Sequence, residues 1–404
     1  MTGAAGQNAR VLIVHERYAL FGGEDAAVDA DIALLRSRGH VVHPWILENS
    51  GIGSWGIRRK LALAWKTTWN AHSSRELLAQ AERFRPDVVH FHNILPIVSP
   101  SALHAAHTAG LPVVITLHNY RLLCPAGTFF RQGRPCEECH QKSLLRGVIH
   151  GCYRGSRGQT AVVAFMLTSH RIMGTWSHCV DAFITPTGFL KAKLVQGGFN
   201  AARIHVRPNA VGDGTPSLEP SENYILFAGR LSAEKGILTL LDAMTHAPEV
   251  PLIVIGQGPL ESVVRERASE SSGSIRYAGH LDREGTDRVL SRARALIFPS
   301  LAYETFGLSL VEALSHGVPV VASRLGVRSE MIRDGDEGLL FEPGNPVDLA
   351  RQIRRLMTDA TLRSSMGRQA RKSFEERFSQ EHGYQRLMEI YRAAIESART
   401  RRAA

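Results

Sequence analysis

The chain has 404 residues, a formal net charge of +10, and 44% hydrophobic against 21% charged residues. That length suits two domains with a core each, and the composition excludes a disordered or fibrous chain. The longest apolar run, Ala161 to Thr168, is cut off by His170 and Arg171, too short for a membrane span. The N-terminus is polar and its first apolar segment ends at His15-Glu16-Arg17, so no secretory signal is read and a cytoplasmic protein is expected. The basic excess implies an anionic partner: nucleotide diphosphate, lipid phosphate or nucleic acid. No recognised nucleic-acid module or RNP-like aromatic motif is present, which argues against the last. Five cysteines in such a chain point to thiols or metal ligands rather than a disulfide framework.

In chain order, Arg10 to His15 reads as a first parallel strand, followed by Gly22-Gly23 and a helix from about Asp25 to Ser37. A second strand at Val41-Val42 completes a βαβ unit. The glycine pair, Gly23 in particular, lies in the first crossover, where backbone N–H groups can face a ligand or make a tight turn. Residues 54–78 interleave Trp55, Ile57, Leu61, Trp65 and Trp69 with Arg58, Arg59, Lys60 and Lys66. Two readings stay open: a basic amphipathic helix on an anionic bilayer, or a helix docked on its own domain. Pro86 to Asn93 and Pro112 to Asn119 are strands running into polar tips, His92-Asn93 and His118-Asn119. Such tips are where open parallel sheets bind ligands.

Cys124, Cys136, Cys139 and Cys152 fall in an irregular loop, residues 120–155, broken by glycine and proline. Four thiolates around Zn²⁺ would tie such a loop together as a structural site, with His140 and His150 in reserve. A reversible disulfide and plain thiols are the alternatives. Cys179 stands apart and reads as core.

Ile204 to Ala210 is a strand ending in Pro208-Asn209-Ala210, and residues 212–222 read as a linker. A new sheet opens at Tyr224 and runs into Gly229-Arg230-Leu231-Ser232-Ala233-Glu234-Lys235-Gly236. Two cations five residues apart at a strand end can reach one diphosphate, Arg as a planar fork and Lys as a point charge. Gly256-Gln257-Gly258 resembles a dinucleotide turn, but Glu261 replaces the third glycine. A strand, Ala295 to Phe298, then leads through Glu304, Phe306, Gly307 and Leu308 into an apolar helix carrying Glu312. Two carboxylates on a strand–turn–helix form either a ligand site or a structural pair near a helix start. Asp334-Gly335-Asp336 spells a metal-binding pattern but lies in a turn, and it is read as a decoy.

Glu304 and Glu312 resemble the E-x7-E signature of the retaining family-4 glycosyltransferases, with Phe306-Gly307-Leu308 matching the triplet between them. Arg230 and Lys235 fall in the family's G-R-L-x-x-E-K-G motif, and His118 to Pro125 matches the H-N-Y-R-x-x-C-P stretch of a cysteine-loop subset. The resemblance implies the GT-B fold: two α/β Rossmann-like domains with parallel sheets facing across a cleft. The acceptor-side domain would be residues 1–211 with a returning helix 382–398, and the nucleotide-sugar domain residues 223–381. Arg230 and Lys235 would stabilise the departing diphosphate, Glu304 would hold the sugar hydroxyls and Glu312 the ribose. The backbone at Phe306 to Leu308 would face the diphosphate, and His118 the donor sugar. Gly23, Asn209, Gly256 and Gly258 would line the nucleotide-sugar site. The implied reaction is metal-independent glycosyl transfer, with retention, to a glycan or lipid-linked acceptor, in surface polysaccharide or glycolipid assembly. The protein would then be cytoplasmic or peripheral on the inner membrane face, with no cofactor for catalysis. A non-catalytic sugar-nucleotide-binding protein is the alternative; a dinucleotide oxidoreductase lacks its fingerprint.

Overall fold

A computed structural model describes residues 8–17, 22–49, 56–214 and 221–403, with backbone alone at Ile57, Lys60 and Leu61. Fourteen strands are described: β1 Arg10–Arg17, β2 Val41–Glu48, β3 Val88–Phe91, β4 Val113–Thr116, β5 Phe130–Arg131, β6 Arg134–Pro135, β7 Ala182–Thr185, β8 Ile204–Val206, β9 Ile225–Ala228, β10 Leu252–Ile255, β11 Ile275–Gly279, β12 Ala295–Phe298, β13 Val320–Ser323 and β14 Gly338–Phe341. Two six-stranded sheets result, ordered β2-β1-β3-β4-β7-β8 and β11-β10-β9-β12-β13-β14, while β5 and β6 form a small antiparallel hairpin. Every pairing in the two large sheets is parallel. Runs such as Val11-Leu12-Ile13-Val14 and Ala295-Leu296-Ile297-Phe298 are buried throughout, as strands covered on both faces must be.

The chain divides into two compact units. The first holds Met1–Phe129, Glu137–Ala210 and Glu381–Ala404; the second holds Phe130–Cys136 and Val211–Gln380. Most of the expected linker, residues 215–220, lies outside the described residues.

The last helix runs Gln380–Ala403, longer at both ends than the sequence pattern suggests. Its Leu387, Met388, Ile390, Tyr391 and Ala394 join Val11, Ile13, Val28 and Val114 in the core of the first unit. Tyr391 OH lies 2.8 Å from His90 Nδ1, and the Gly383 carbonyl accepts from Arg207 Nε at 3.1 Å. Arg207 is itself 1% exposed and pairs with the buried Asp31 at 2.7 Å. Burial pushes the Asp31 carboxyl above its ordinary value, and Arg207 pulls it back.

The amphipathic segment read at 54–78 is two helices, Ile57–Thr68 and Ala71–Phe84, and Trp55 lies outside the described residues. The break comes at Asn70, whose Oδ1 accepts from the Ser73 N–H at 3.4 Å while its Nδ2 donates to the Ile97 carbonyl at 2.7 Å. An Asn so engaged starts a helix rather than continuing one.

Asp31→Ala would leave Arg207 buried without its countercharge. We expect a loss of about 3–5 kcal/mol in unfolding free energy by urea denaturation.

Candidate functional site

In the second unit the site is built where β9, β10 and β12 end. Beyond β9 the backbone at Gly229-Arg230-Leu231 lies against the Gly256-Gln257-Gly258 turn beyond β10, with the Leu231 N–H donating to the Gln257 carbonyl at 2.9 Å. A Cβ at Gly256 would stand 1.9 Å from the Gly229 oxygen, and one at Gly258 2.4 Å from the Leu231 oxygen. Both glycines thus have a packing reason: they let two backbones meet and fix the strand end that carries the exposed Arg230.

A short turn, Ala233–Lys235, ends at Gly236 in the left-handed region. A Cβ there would lie 2.0 Å from the Pro299 oxygen, so this turn is pressed on the loop after β12. The Glu234 carbonyl accepts from the Leu301 N–H at 2.8 Å. Across that junction Lys235 Nζ lies 2.8 and 2.9 Å from the two oxygens of Glu304, and Ser300 Oγ lies 2.7 Å from Oε1. Burial pushes the Glu304 carboxyl up, but Lys235, Arg328 and the hydrogen bonds outweigh it and hold the group below its ordinary value. Glu304 is therefore a carboxylate. Arg328 supports the loop from behind: fully buried, it donates to the carbonyls of Ser323, Ala302 and Ser300 at 3.0–3.2 Å.

Gly307, at φ +94, precedes the helix Leu308–Ser315, and Phe306 turns inward, edge-on to Phe378 at 6.1 Å. Phe306 therefore offers its backbone, not its ring, to a ligand. The Leu310 and Val311 N–H groups both bond to the Gly307 carbonyl, so the helix begins with Leu308 and Ser309 N–H groups that lack an intrahelical acceptor. Such a terminus favours an anion. Further along this helix, burial and the neighbouring Asp287 raise the Glu312 carboxyl, while Arg283 and His316 oppose the shift. The Asp334 and Asp336 carboxylates are engaged locally: Asp334 accepts from the Leu340 N–H at 2.8 Å and pairs with Arg324, and Asp336 pairs with Arg333 at 3.2 Å.

In the first unit, polar groups gather at the ends of β1, β3 and β4. His118 Nε2 lies 2.9 Å from His92 Nδ1, their rings stacked at 5.2 Å. His15 Nε2 meets Asp25 Oδ1 at 2.8 Å, and Asp25 Oδ2 accepts from the Gly22 N–H at 2.9 Å, fixing the start of the helix Gly23–Ser37. Gly23 is the exposed first residue of that helix. Asn119 donates to Glu24 at 2.7 Å. The imidazole of His118 is oriented by a second histidine. Burial, then the nearby His15 and Arg207, lower its pKa to about 3. His92, Asn93, His118, Asn119 and Arg121 line a pocket together with Met166 and Trp176. Asn209 follows β8 and is buried.

The cysteines form no disulfide among the described residues. All five are thiols, and Cys136 belongs to the hairpin segment grouped with the second unit, whereas Cys124, Cys139 and Cys152 belong to the first. Among the described residues no three His, Cys, Asp or Glu side chains form a group able to hold a metal ion. Sequence reading also missed Arg328, Ser300, Asp25 and Asp287; the paired strand tips were the one signal that marked His92 beside His118.

Gly256→Ala forces a Cβ onto the Gly229 carbonyl and is expected to cost about 1–3 kcal/mol of stability by urea denaturation. A second expectation concerns pH. His118 has a folded pKa of about 3 against 6.5 when unfolded, so its contribution is present above the unfolded value and lost as pH falls. From pH 7 to pH 5 this residue should remove roughly 2 kcal/mol, and His118→Asn should flatten the stability–pH curve by that amount.

The family model described as Glycosyltransferase Family 4 matches residues 32–213, and that described as Glycosyl transferases group 1 matches residues 215–373. Glycogen synthase of Mycobacterium tuberculosis is 27% identical, covering 77% of this chain and 70% of its own. Phosphatidyl-myo-inositol mannosyltransferase of Mycobacterium leprae is 35% identical over 34% of this chain and 38% of its own. The crystal structure of Anabaena HepE with UDP and glucose superposes with a TM-score of 0.67, covering 95% of this chain and 99% of HepE at 18% identity. Two family models that together span most of the sequence, on two parallel α/β units, show that the chain belongs to the family-4 glycosyltransferases of the GT-B fold.

Proposed function

We propose that the protein transfers a sugar from a nucleotide-diphosphate sugar to a glycan or lipid-linked acceptor, with retention of anomeric configuration and without a catalytic metal. The observation that carries this reading is the Lys235–Glu304 pair, with Arg230 and the start of the helix Leu308–Ser315 also placed beyond the ends of the neighbouring central strands β9 and β12. As the bond from the anomeric carbon to the diphosphate breaks, negative charge grows on the leaving phosphate oxygen. The exposed Arg230 can fork onto that phosphate, and Lys235 can swing its ammonium between Glu304 and the phosphate. The Leu308 and Ser309 N–H groups add fixed dipoles of the same sign. These cations supply electrostatic work that a metal performs elsewhere, and the reading needs no cofactor.

Glu304, held ionised, accepts hydrogen bonds from sugar hydroxyls, and Glu312 accepts them from the ribose. Gly256, Gly258 and Asn209 are assigned to the nucleotide-sugar site by family position, and so is Gly23. In the first unit His118 is neutral at physiological pH, so its ring can hydrogen-bond a hydroxyl without placing a positive charge there. Both signature glutamates belong to the second unit, and no carboxylate pair bracketing the scissile bond is invoked. The relative named for phosphatidyl-myo-inositol supports a lipid-linked acceptor, and we place the reaction in glycolipid or surface polysaccharide assembly on the cytoplasmic side.

A thermal-shift screen against UDP-, GDP- and ADP-sugars should show stabilisation by one nucleotide class. Lys235→Ala removes one charge-assisted contact of about 1.5–3 kcal/mol and should weaken that donor about ten- to a hundredfold. No shift with any sugar nucleotide at millimolar concentration would defeat the reading. Binding without transfer to any glycan or lipid-linked acceptor would favour a sugar-nucleotide sensor.

A further inference from the structure

The first unit carries a face whose chemistry the transfer reaction does not use. The helix Arg157–Ile172 buries Val163, Ala164, Met166 and Leu167 against its own unit. Its opposite side, where a surface helix ordinarily carries charge, instead shows Phe165 at 58% exposure and Ile172 at 80%. Two other helices adjoin it. Leu145–His150 packs beside it, with Arg157 Nε donating to the Ile149 carbonyl at 3.0 Å, and it exposes Leu145 at 67% and Ile149 at 55%. Ile57–Thr68 packs along it, and the two meet at Trp69, stacked on His170 at 6.2 Å. That helix exposes Trp65 at 71%. Isolated exposed apolar residues are ordinary; several large ones on three adjoining helices are not.

The charge around this face is largely of one sign, with Glu138 beside it, 3.5 Å from His150. Residues 49–75 contain no Asp or Glu and five Lys or Arg, and residues 139–180 again contain no Asp or Glu and five Lys or Arg. Arg58, Arg59, Lys66, Arg146, Arg157 and Arg171 are all exposed. A patch meant for a folded protein partner would need acidic groups on that partner alone. Exposed Trp, Phe and Ile set among an excess of cations instead match an anionic lipid surface, where aromatic rings settle at the headgroup level and cations meet phosphates. Among the described residues no helix is long and apolar enough to cross a membrane.

We propose that these three helices form a docking face by which the protein lies on an anionic bilayer, burying Phe165, Ile172 and Trp65 at the headgroup boundary. This goes beyond the transfer reaction and does not depend on it, because vesicle binding is measured without donor or acceptor. The full chain should sediment with vesicles containing phosphatidylglycerol at low salt and should stay in solution with phosphatidylcholine alone. Added salt should weaken the binding. Phe165→Ser with Ile172→Ser should reduce partitioning at least about tenfold, as should Arg58→Glu with Arg59→Glu, while both variants keep the parent melting temperature within a few degrees. Failure of the wild type to sediment with phosphatidylglycerol vesicles would overturn the proposal. So would unchanged partitioning of both folded variants. A concentration-dependent dimer, abolished by the Phe165 and Ile172 changes, would also overturn it and assign the face to a second copy of the chain.

Discussion

The contact on which the second unit's site depends is the ion pair between Lys235 and Glu304, at 2.8 and 2.9 Å. It is a long-range contact, 69 residues apart in sequence, and it exists because two backbones come almost into collision at Gly236 and Pro299. The Glu304 carboxylate is mostly buried, with its partner lysine about one-third exposed. A carboxylate so placed would be costly without a countercharge. Lys235 provides it, and the fully buried Arg328 supplies a second positive field from behind while holding three carbonyls of neighbouring loops. The result is a preorganised arrangement in which one cation is anchored and another, Arg230, is set out into solvent on a strand end locked by Gly256 and Gly258. The proposed diphosphate would meet both cations beyond the ends of β9 and β12.

The first unit uses the opposite logic. Its sheet ends gather His15, His90, His92 and His118, and burial drives the last three towards the neutral form. Neutral imidazoles can orient one another by hydrogen bonds, as His92 does for His118, and they add no charge to a buried cluster that already holds Arg207. The last helix contributes to this by lending Tyr391 to His90 and by accepting a bond from Arg207 through Gly383. At its strand ends the second unit gathers charged groups, whereas the first holds His90, His92 and His118 neutral.

How much of this was legible in the sequence follows from the range of the interactions. The strand–turn–helix carrying Glu304 and Glu312, and the cation pair Arg230 and Lys235, are local patterns, and local periodicity with turn residues is enough to place them. The parallel α/β architecture follows from fully apolar strands alternating with helices. What joins these pieces is non-local. Nothing in the neighbourhood of Arg328 tells that it holds Ser300, and nothing around Glu304 names Lys235. The Gly256-Gln257-Gly258 turn resembles a nucleotide loop; its two glycines are explained by the backbone at Gly229 and Leu231 passing where a Cβ would stand. Residues 54–78 have the periodicity of one amphipathic helix, yet Asn70 ends it by bonding Ile97, a partner 27 residues away. The four loop cysteines have a metal-like spacing, but spacing along the chain does not bring thiols together in space, and here they form no metal-holding group among the described residues.

The most direct test of the account is calorimetric titration of a nucleoside diphosphate and the matching monophosphate, in chelator, into wild type, Arg230→Ala, Lys235→Ala and the double variant. If the two cations form a clamp on the departing phosphate, each variant loses diphosphate affinity about tenfold or more while monophosphate affinity barely changes. The double variant should then lose less than the sum, since both groups act on one ligand group. Equal losses for monophosphate and diphosphate, or unchanged diphosphate binding in all three variants, would contradict it.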